Sequence, residues 1–356
     1  MKPINNIPDW DKRLARQDAF WDRQIIDRPV IQMVVPNKCY VAPQRTPKVY
    51  SSIRERWMDT EAVVQNTLDY VAGTLFLGDA LPSVFPNLGP EILSAFMGCE
   101  LEYSEGTAWA IPNLEDWNNV DHIKFSEDNF YWKKILELTD ALMEAGEGKF
   151  YTGFTDLHPG ADAIAAFRDP LNLNFDMIEA KDGVVALLAK VTEVYFHVYD
   201  FYYNKFRSND QALTSWPGIV SSRKWYVPSN DFSCMVSKEM FDEVFLPGII
   251  EECQFMEASI YHLDGPDALR HLDSLLDIKE LNAIQWVYGA GNNRASDWIP
   301  VYKKIQAAGK GMQAWIEPDE LEIFKRELKP EGVWLGVFVP DEDTANSVLK
   351  SVESWV

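Results

Sequence analysis

The stretch SIYHLDGPDALRHLD, residues 259–273, sets one imidazole and two carboxylates, His262, Asp264 and Asp267, close together where an apolar run gives way to an amphipathic one. The first half reads as a short strand and the second, from Pro266, as the opening of a helix. Side chains two apart on a strand share a face, so His262 and Asp264 are predicted to point the same way. Asp267 falls in the first helical turn, where a carboxylate serves the helix dipole, and is expected to be structural. His271, further along that helix, is expected to be structural too.

Three kinds of chemistry fit such residues. His262 with Asp264 or Glu317 could hold a zinc ion that activates a bound atom. Two of the carboxylates could work as acid and base on a glycosidic bond, with tryptophans stacked on the sugar. An Asp could instead protonate a carbon centre during decarboxylation. A non-enzymatic small-molecule binder is a further class. No GxSxG motif is present, and no Cys stands beside a His in sequence, so nucleophilic Ser or Cys chemistry has no support. GAGNN (289–293) lacks the third glycine and the placement of a dinucleotide fingerprint.

The elements that must position these groups follow a rhythm in the second half. The apolar runs ASIYHLD (258–264), NAIQWVYG (282–289), GMQAWIE (311–317) and GVWLGVFV (332–339) each precede an amphipathic segment. Four such β–α units with short connections imply a parallel sheet. The first half offers an N-terminal helix and four more strands, in RPVIQMVV (28–35), GTLFLGDAL (73–81), KFYTGFTDL (149–157) and LTSWPGIV (213–220), with helices near 180–206 and 238–256. Eight strands, each with a helix nearby, predict an α/β fold, a (β/α)8 TIM barrel in one domain spanning 1–356; a doubly wound open sheet is the alternative, and the strand count favours closure. The segment 82–148, rich in Pro, Asn and Trp, is expected as an insertion over the barrel mouth.

In such a barrel the chemistry sits at the C-terminal strand ends. Those ends carry Asp79; Asp156 and His158; Trp216 and the loop SSRKWYVPSND that closes on Asp231; His262 and Asp264; Gln285, Trp286 and Tyr288; and Glu317.

Bulk properties narrow the partners. The chain has 55 acidic and 33 Lys or Arg residues, a net charge of −22, which repels phosphate backbones and anionic membranes. No apolar leader and no bilayer-length apolar run is visible. Cys39, Cys99, Cys234 and Cys253 are scattered and form no CxxC, so a cytoplasmic protein with reduced thiols is expected. Thirteen tryptophans exceed what packing alone suggests and lean towards a flat-ligand pocket.

The runs NDFSCMVSKEMFDEVFLP (230–247), IYHLDGPDALRHLDSLLDIKELNAIQWVYGAG (260–291) and AGKGMQAWIEPDELE (308–322) resemble the uroporphyrinogen decarboxylase-like superfamily. The resemblance implies a (β/α)8 barrel and either porphyrinogen decarboxylation or zinc-dependent methyl transfer with corrinoid proteins. Two departures bear on the choice. The decarboxylases' arginine-rich N-terminal motif is represented by Arg28 alone, a poor host for an octa-acid. The methyltransferases' His-x-Cys pair reads His262-Leu263-Asp264, and no cysteine follows Cys253, so the metal site would be oxygen-rich.

The expectation is therefore methyl transfer from a small methylated substrate to a corrinoid carried by a separate protein, with zinc a possible cofactor held by His262, Asp264 and Glu317. Asp79, Asp156, His158, Asp231, Asp264 and Glu317 are the catalytic candidates. Trp109, Trp216, Gln285, Trp286 and Tyr288 are the substrate-binding candidates, with the Trp-rich 82–132 segment closing the pocket. A homodimer is compatible with the sequence. A carbohydrate-active hydrolase or lyase is the alternative.

Overall fold

The structure is a computed structural model and describes residues 1–289, 291 and 294–356. The apolar runs of the second half form the strands Ala258–Asp264, Ala283–Val287, Gly311–Ile316 and Val333–Val337. They are buried almost continuously, as strands covered on both faces must be. With Val30–Pro36 and Trp225–Tyr226 they make six parallel strands, and Thr74–Gly78 adds an antiparallel edge. The spatial order is 74–78, 30–36, 333–337, 311–316, 283–287, 258–264, 225–226.

Three first-half expectations change. The 73–81 run turns back on 30–36 instead of joining the sheet in parallel, pairing Gln32 with Gly78 through to Pro36 with Thr74. The 213–220 run folds into an antiparallel pair, Leu213–Thr214 with Val220–Ser221, because Pro217 and Gly218 (φ 72°) make a turn in its middle. Trp225–Tyr226, unmarked in the sequence by any apolar run, takes a place in the main sheet. Among the described residues the ladders trace these seven strands and three separate two-stranded pairs, not a closed ring of eight. Loop bonds draw the pieces together: Gly153 N and Phe154 N donate to Val84 O and Thr214 O.

The 82–148 segment is larger than a loop excursion. Ser83–Val84 pairs in parallel with Tyr151–Thr152, Glu100–Tyr103 and Ala108–Ile111 form a hairpin, and Phe130–Gly146 is a 17-residue helix. Asn129 caps that helix by accepting from Tyr131 N and Trp132 N. The 28-residue helix Lys181–Ser208 buries Val184, Leu187, Val191, Tyr195, Val198 and Tyr202, the spacing of one helical face.

Five tryptophans, Trp21, Trp132, Trp225, Trp286 and Trp334, lie in the core, so part of the tryptophan surplus is packing. No helix of the described residues is long and apolar enough to cross a membrane. All four cysteines are free thiols.

Candidate functional site

Register places one polar row across the sheet. In the parallel ladders Ser229 is the partner of His262, His262 of Gln285, Gln285 of Gln313, and Gln313 of Trp334. Side chains level on neighbouring strands and on one face can meet, and the His262–Gln285 and Gln285–Gln313 pairs do. His262 Nδ1 lies 2.5 Å from Gln285 Oε1, Gln285 Nε2 donates to Gln313 Oε1 at 2.7 Å, and Trp334 Nε1 donates to Gln32 Oε1 at 3.3 Å. Gln285 presents its oxygen to His262 because its amide nitrogen is used by Gln313. With the amide in that orientation, the Nδ1-protonated tautomer of His262 is the one that completes the row, and its Nε2 faces away from it. Nε2 faces Asp231 Oδ1 at 3.9 Å.

One step towards the C-terminal ends, Asp264 joins this pair. Ligand-capable atoms of Asp231, His262 and Asp264 all lie within 4.8 Å of one another. One imidazole nitrogen and two carboxylates suit a zinc or a harder divalent ion. Bound there, such an ion would act as a Lewis acid.

A second group, His158, Asp162 and Asp231, meets the same distance limit but is built differently. His158 Nε2 lies 2.8 Å from Asp156 Oδ1, while Nδ1 faces Ser229 Oγ at 3.3 Å and Asp162 Oδ2 at 3.7 Å. Burial alone would lower the His158 pKa, but the two carboxylates outweigh it and hold the imidazole well above its ordinary 6.5. Both ring nitrogens of His158 already face oxygens of Asp156, Ser229 and Asp162, the arrangement of an orienting group. Asp162 accepts from Asp231 N and Phe232 N and so pins the Asp231 loop to the helix Gly160–Arg168. Burial, then repulsion from Asp162, pushes Asp231 up to about 6, although 51% of its side chain is open and solvent screening opposes the rise.

Trp216 stands between the two imidazoles. Its ring meets His262 edge-on at 5.0 Å and lies near-parallel to His158 at 6.5 Å. Two cavities reach this group, through Asp231 and through Trp216, and a third adjoins the second. One of about 270 Å³ touches Pro90, Glu91, His158, Asp162 and Asp231. A second, about 410 Å³, runs between Trp216, Phe85, Tyr70 and Trp315. A third, about 650 Å³, shares Gln32, Val34 and Trp315 with the second and extends to Glu317 and Phe338.

The structure thus brings together Asp156, His158, Trp216, Asp231, His262, Asp264 and Gln285. Glu317 is not brought to His262 and Asp264; Asp231 stands in its place. The reason is local: Glu317 begins the next helical turn, exchanging capping bonds with Glu320, and its exposed side chain lines the third cavity. Asp79 is withdrawn altogether, with a fully buried side chain bonded to Arg16 and Arg28. Trp286 faces the opposite side of its strand from Gln285, is 2% exposed and packs on Trp298 at 5.1 Å, so it is a core residue. Tyr288 packs against the core and touches none of these cavities. Trp109, on the hairpin, is 45% exposed and lines none of them either. GAGNN falls partly outside the described residues. His271 is buried, donates from Nε2 to Ser233 O at 2.9 Å and stacks on Phe241.

Sequence reasoning passed over Ser229, Asp162 and the glutamines Gln32 and Gln313. Asp162 reads as an ordinary first-turn acid in GADAIAAFR. Gln313, at the position matching Gln285 in the next apolar run, was the available signal.

No family model matches the chain, and no curated protein sequence matches it. Among solved structures it is similar to a methyltransferase from Methanosarcina mazei, at TM-score 0.61 and 11% identity, covering 96% of this chain and 98% of that one. At this identity the likeness is one of fold, extending over nearly the whole chain.

Proposed function

We propose that the chain is a cytoplasmic enzyme of the uroporphyrinogen decarboxylase-like superfamily, one domain over 1–356. In this reading its strands close as a (β/α)8 barrel, and it transfers a methyl group from a small methylated substrate to a corrinoid carried by a separate protein. The observation that carries the reading is the convergence of Asp231, on the loop after Trp225–Tyr226, with His262 and Asp264 on the neighbouring parallel strand, in a fold shared along its length with a methyltransferase. Those three residues would hold zinc, which would polarise the methyl donor. Gln285 and Gln313 fix the imidazole that points at it, as the outer partners of metal-binding histidines do. His158, locked between Asp156 and Asp162, fixes the loop that bears Asp231.

The test combines elemental analysis with turnover. Purified protein is expected to carry near-stoichiometric zinc, and His262→Ala to lose it. Gln285→Ala should weaken zinc binding about 10–100-fold. Free reduced cobalamin mixed with methoxylated and methylated-amine donors should become methylated, as read from its absorption spectrum, with wild type and not with His262→Ala. Metal-free protein of either kind, together with no methyl transfer, would overturn the proposal.

A further inference from the structure

The cavities beside the cluster share a composition that speaks to the substrate. Their walls are aromatic: Trp216, Phe85, Tyr70 and Phe76 in one, Trp315 common to two, and Phe338 in the third. Their charged groups are acidic. Glu317 lines the third cavity, and Glu91, Asp162 and Asp231 line the first, where the only cation is His158, itself flanked by Asp156 and Asp162. Among the described residues no lysine or arginine lines any of the three. Arg294, close along the chain to this end of the sheet, is engaged by Asp319 and Glu320.

The aromatic wall is built into the strand pattern. Gln313, Trp315 and Glu317 alternate along one strand and its extension, so they share a face. Trp315 packs down on Gly336, its ladder partner: a Cβ at 336 would stand 2.2 Å from the Trp315 ring. Trp315 is further held at 5.3 Å from Phe338. The ring is thus seated by the sheet rather than by a loop.

We infer that this cleft takes a methylated ammonium, a small cation whose charge is spread over N-methyl groups. Such a cation is attracted to aromatic faces by their quadrupole and to carboxylates at longer range, and it needs no hydrogen-bond donor from the protein. A carboxylate or phosphate substrate would find no lysine or arginine in these walls to pair with, among the described residues. The inference rests on the proposed function, because it names the class of methyl donor for that same site.

Calorimetric titration of the isolated protein tests it, using choline, its uncharged isostere 3,3-dimethylbutan-1-ol, and methyl β-D-glucoside. Choline is expected to bind at least about tenfold more tightly than the isostere, the size of a partly desolvated cation–π contact. Trp315→Leu should abolish that preference. Glu317→Gln, a change at an exposed position, should reduce it with the thermal midpoint unchanged. Equal binding of choline and its isostere, tighter binding of the glucoside, or no binding of choline would each overturn the inference. No corrinoid and no methyl-transfer step enters the titration, so a failure here leaves methyl transfer from uncharged methoxyl donors standing. A failure of methyl transfer leaves a choline preference equally intact.

Discussion

Asp79 and Asp231 are the same residue type near ends of the same sheet, and they are treated in opposite ways. The Asp79 side chain is 0% exposed, and each of its oxygens is used twice. Oδ1 accepts from Arg16 Nη1 at 2.9 Å and Arg28 Nη2 at 3.0 Å; Oδ2 accepts from Arg28 Nη1 at 2.5 Å and Ile31 N at 2.9 Å. Asp231 is half open, and its charged neighbours are two acids, Asp162 and Asp264, and two histidines, His262 at 3.9 Å and His158. A carboxylate with every lone pair taken is a structural joint. One held beside like charges and left half open costs energy in the ground state, an arrangement that clusters at functional sites.

The largest effect expected from this contrast is at Asp79. Asp79→Ala leaves two guanidinium groups facing an empty buried space and frees Ile31 N. Removing one partner of a buried ion pair costs about 3–5 kcal/mol. Arg16 keeps Asp27, bonded at 2.6 and 2.7 Å, which puts the loss towards the lower end of that range. Urea denaturation checks it; a loss below about 1 kcal/mol would mean that the joint is not structural.

This contrast also marks where the sequence stops being readable. The second-half strands are legible because each is a continuous apolar run followed by an amphipathic one, and hydrophobic burial over 258–337 enforces that order. His262 and Asp264 are legible because strand alternation is local. Asp79 is not: FLGDALP shows a carboxylate at a strand end, and only the tertiary approach of Arg16 and Arg28, 63 and 51 residues away, makes it structural. Asp231 in place of Glu317 is another such case. Which acid completes the His262 group depends on how the 229–231 loop lies over the 258–264 strand, through the bridge of Ser229 to His262. The antiparallel turn of 74–78 fails for the same reason, since an apolar run does not state its direction.

A middle-sized effect is expected at Glu252, which lies behind the cluster in a small separate cavity beside Asn230. Glu252 is 3% exposed, its Oε2 has no partner, and neither side-chain polar atom of Asn230 has one. Burial, with Asp162 adding repulsion, pushes Glu252 up to about 8. A carboxyl raised above its unfolded value of 4.5 keeps the folded state more protonated between those two values. Folding stability therefore falls as pH rises through that window. Glu252→Gln removes the titration, so the variant should gain on wild type progressively from about pH 5 to about pH 8 and hold a constant offset below. Parallel denaturation curves at the two ends of the range, with no change in the difference, would show that the buried carboxyl does not titrate there.

The smallest stability effect belongs to the residue with the largest functional claim. Asp231→Asn keeps the shape of the side chain and removes one charge from a crowded acidic mouth. An exposed substitution of this kind changes stability by no more than about 0.5 kcal/mol, and lost repulsion from Asp162 favours the variant. If Asp231 serves the site, zinc content and choline affinity should both fall in a protein that unfolds at the wild-type urea midpoint. Asp79→Ala predicts the reverse pairing, a damaged fold whose mouth is chemically unaltered. The contrast between the two acids stands only if the pair separates in this way. A destabilised Asp231→Asn variant with normal zinc would make Asp231 another joint, like Asp79, and return the third ligand position to an open question between Asp162 and Glu317.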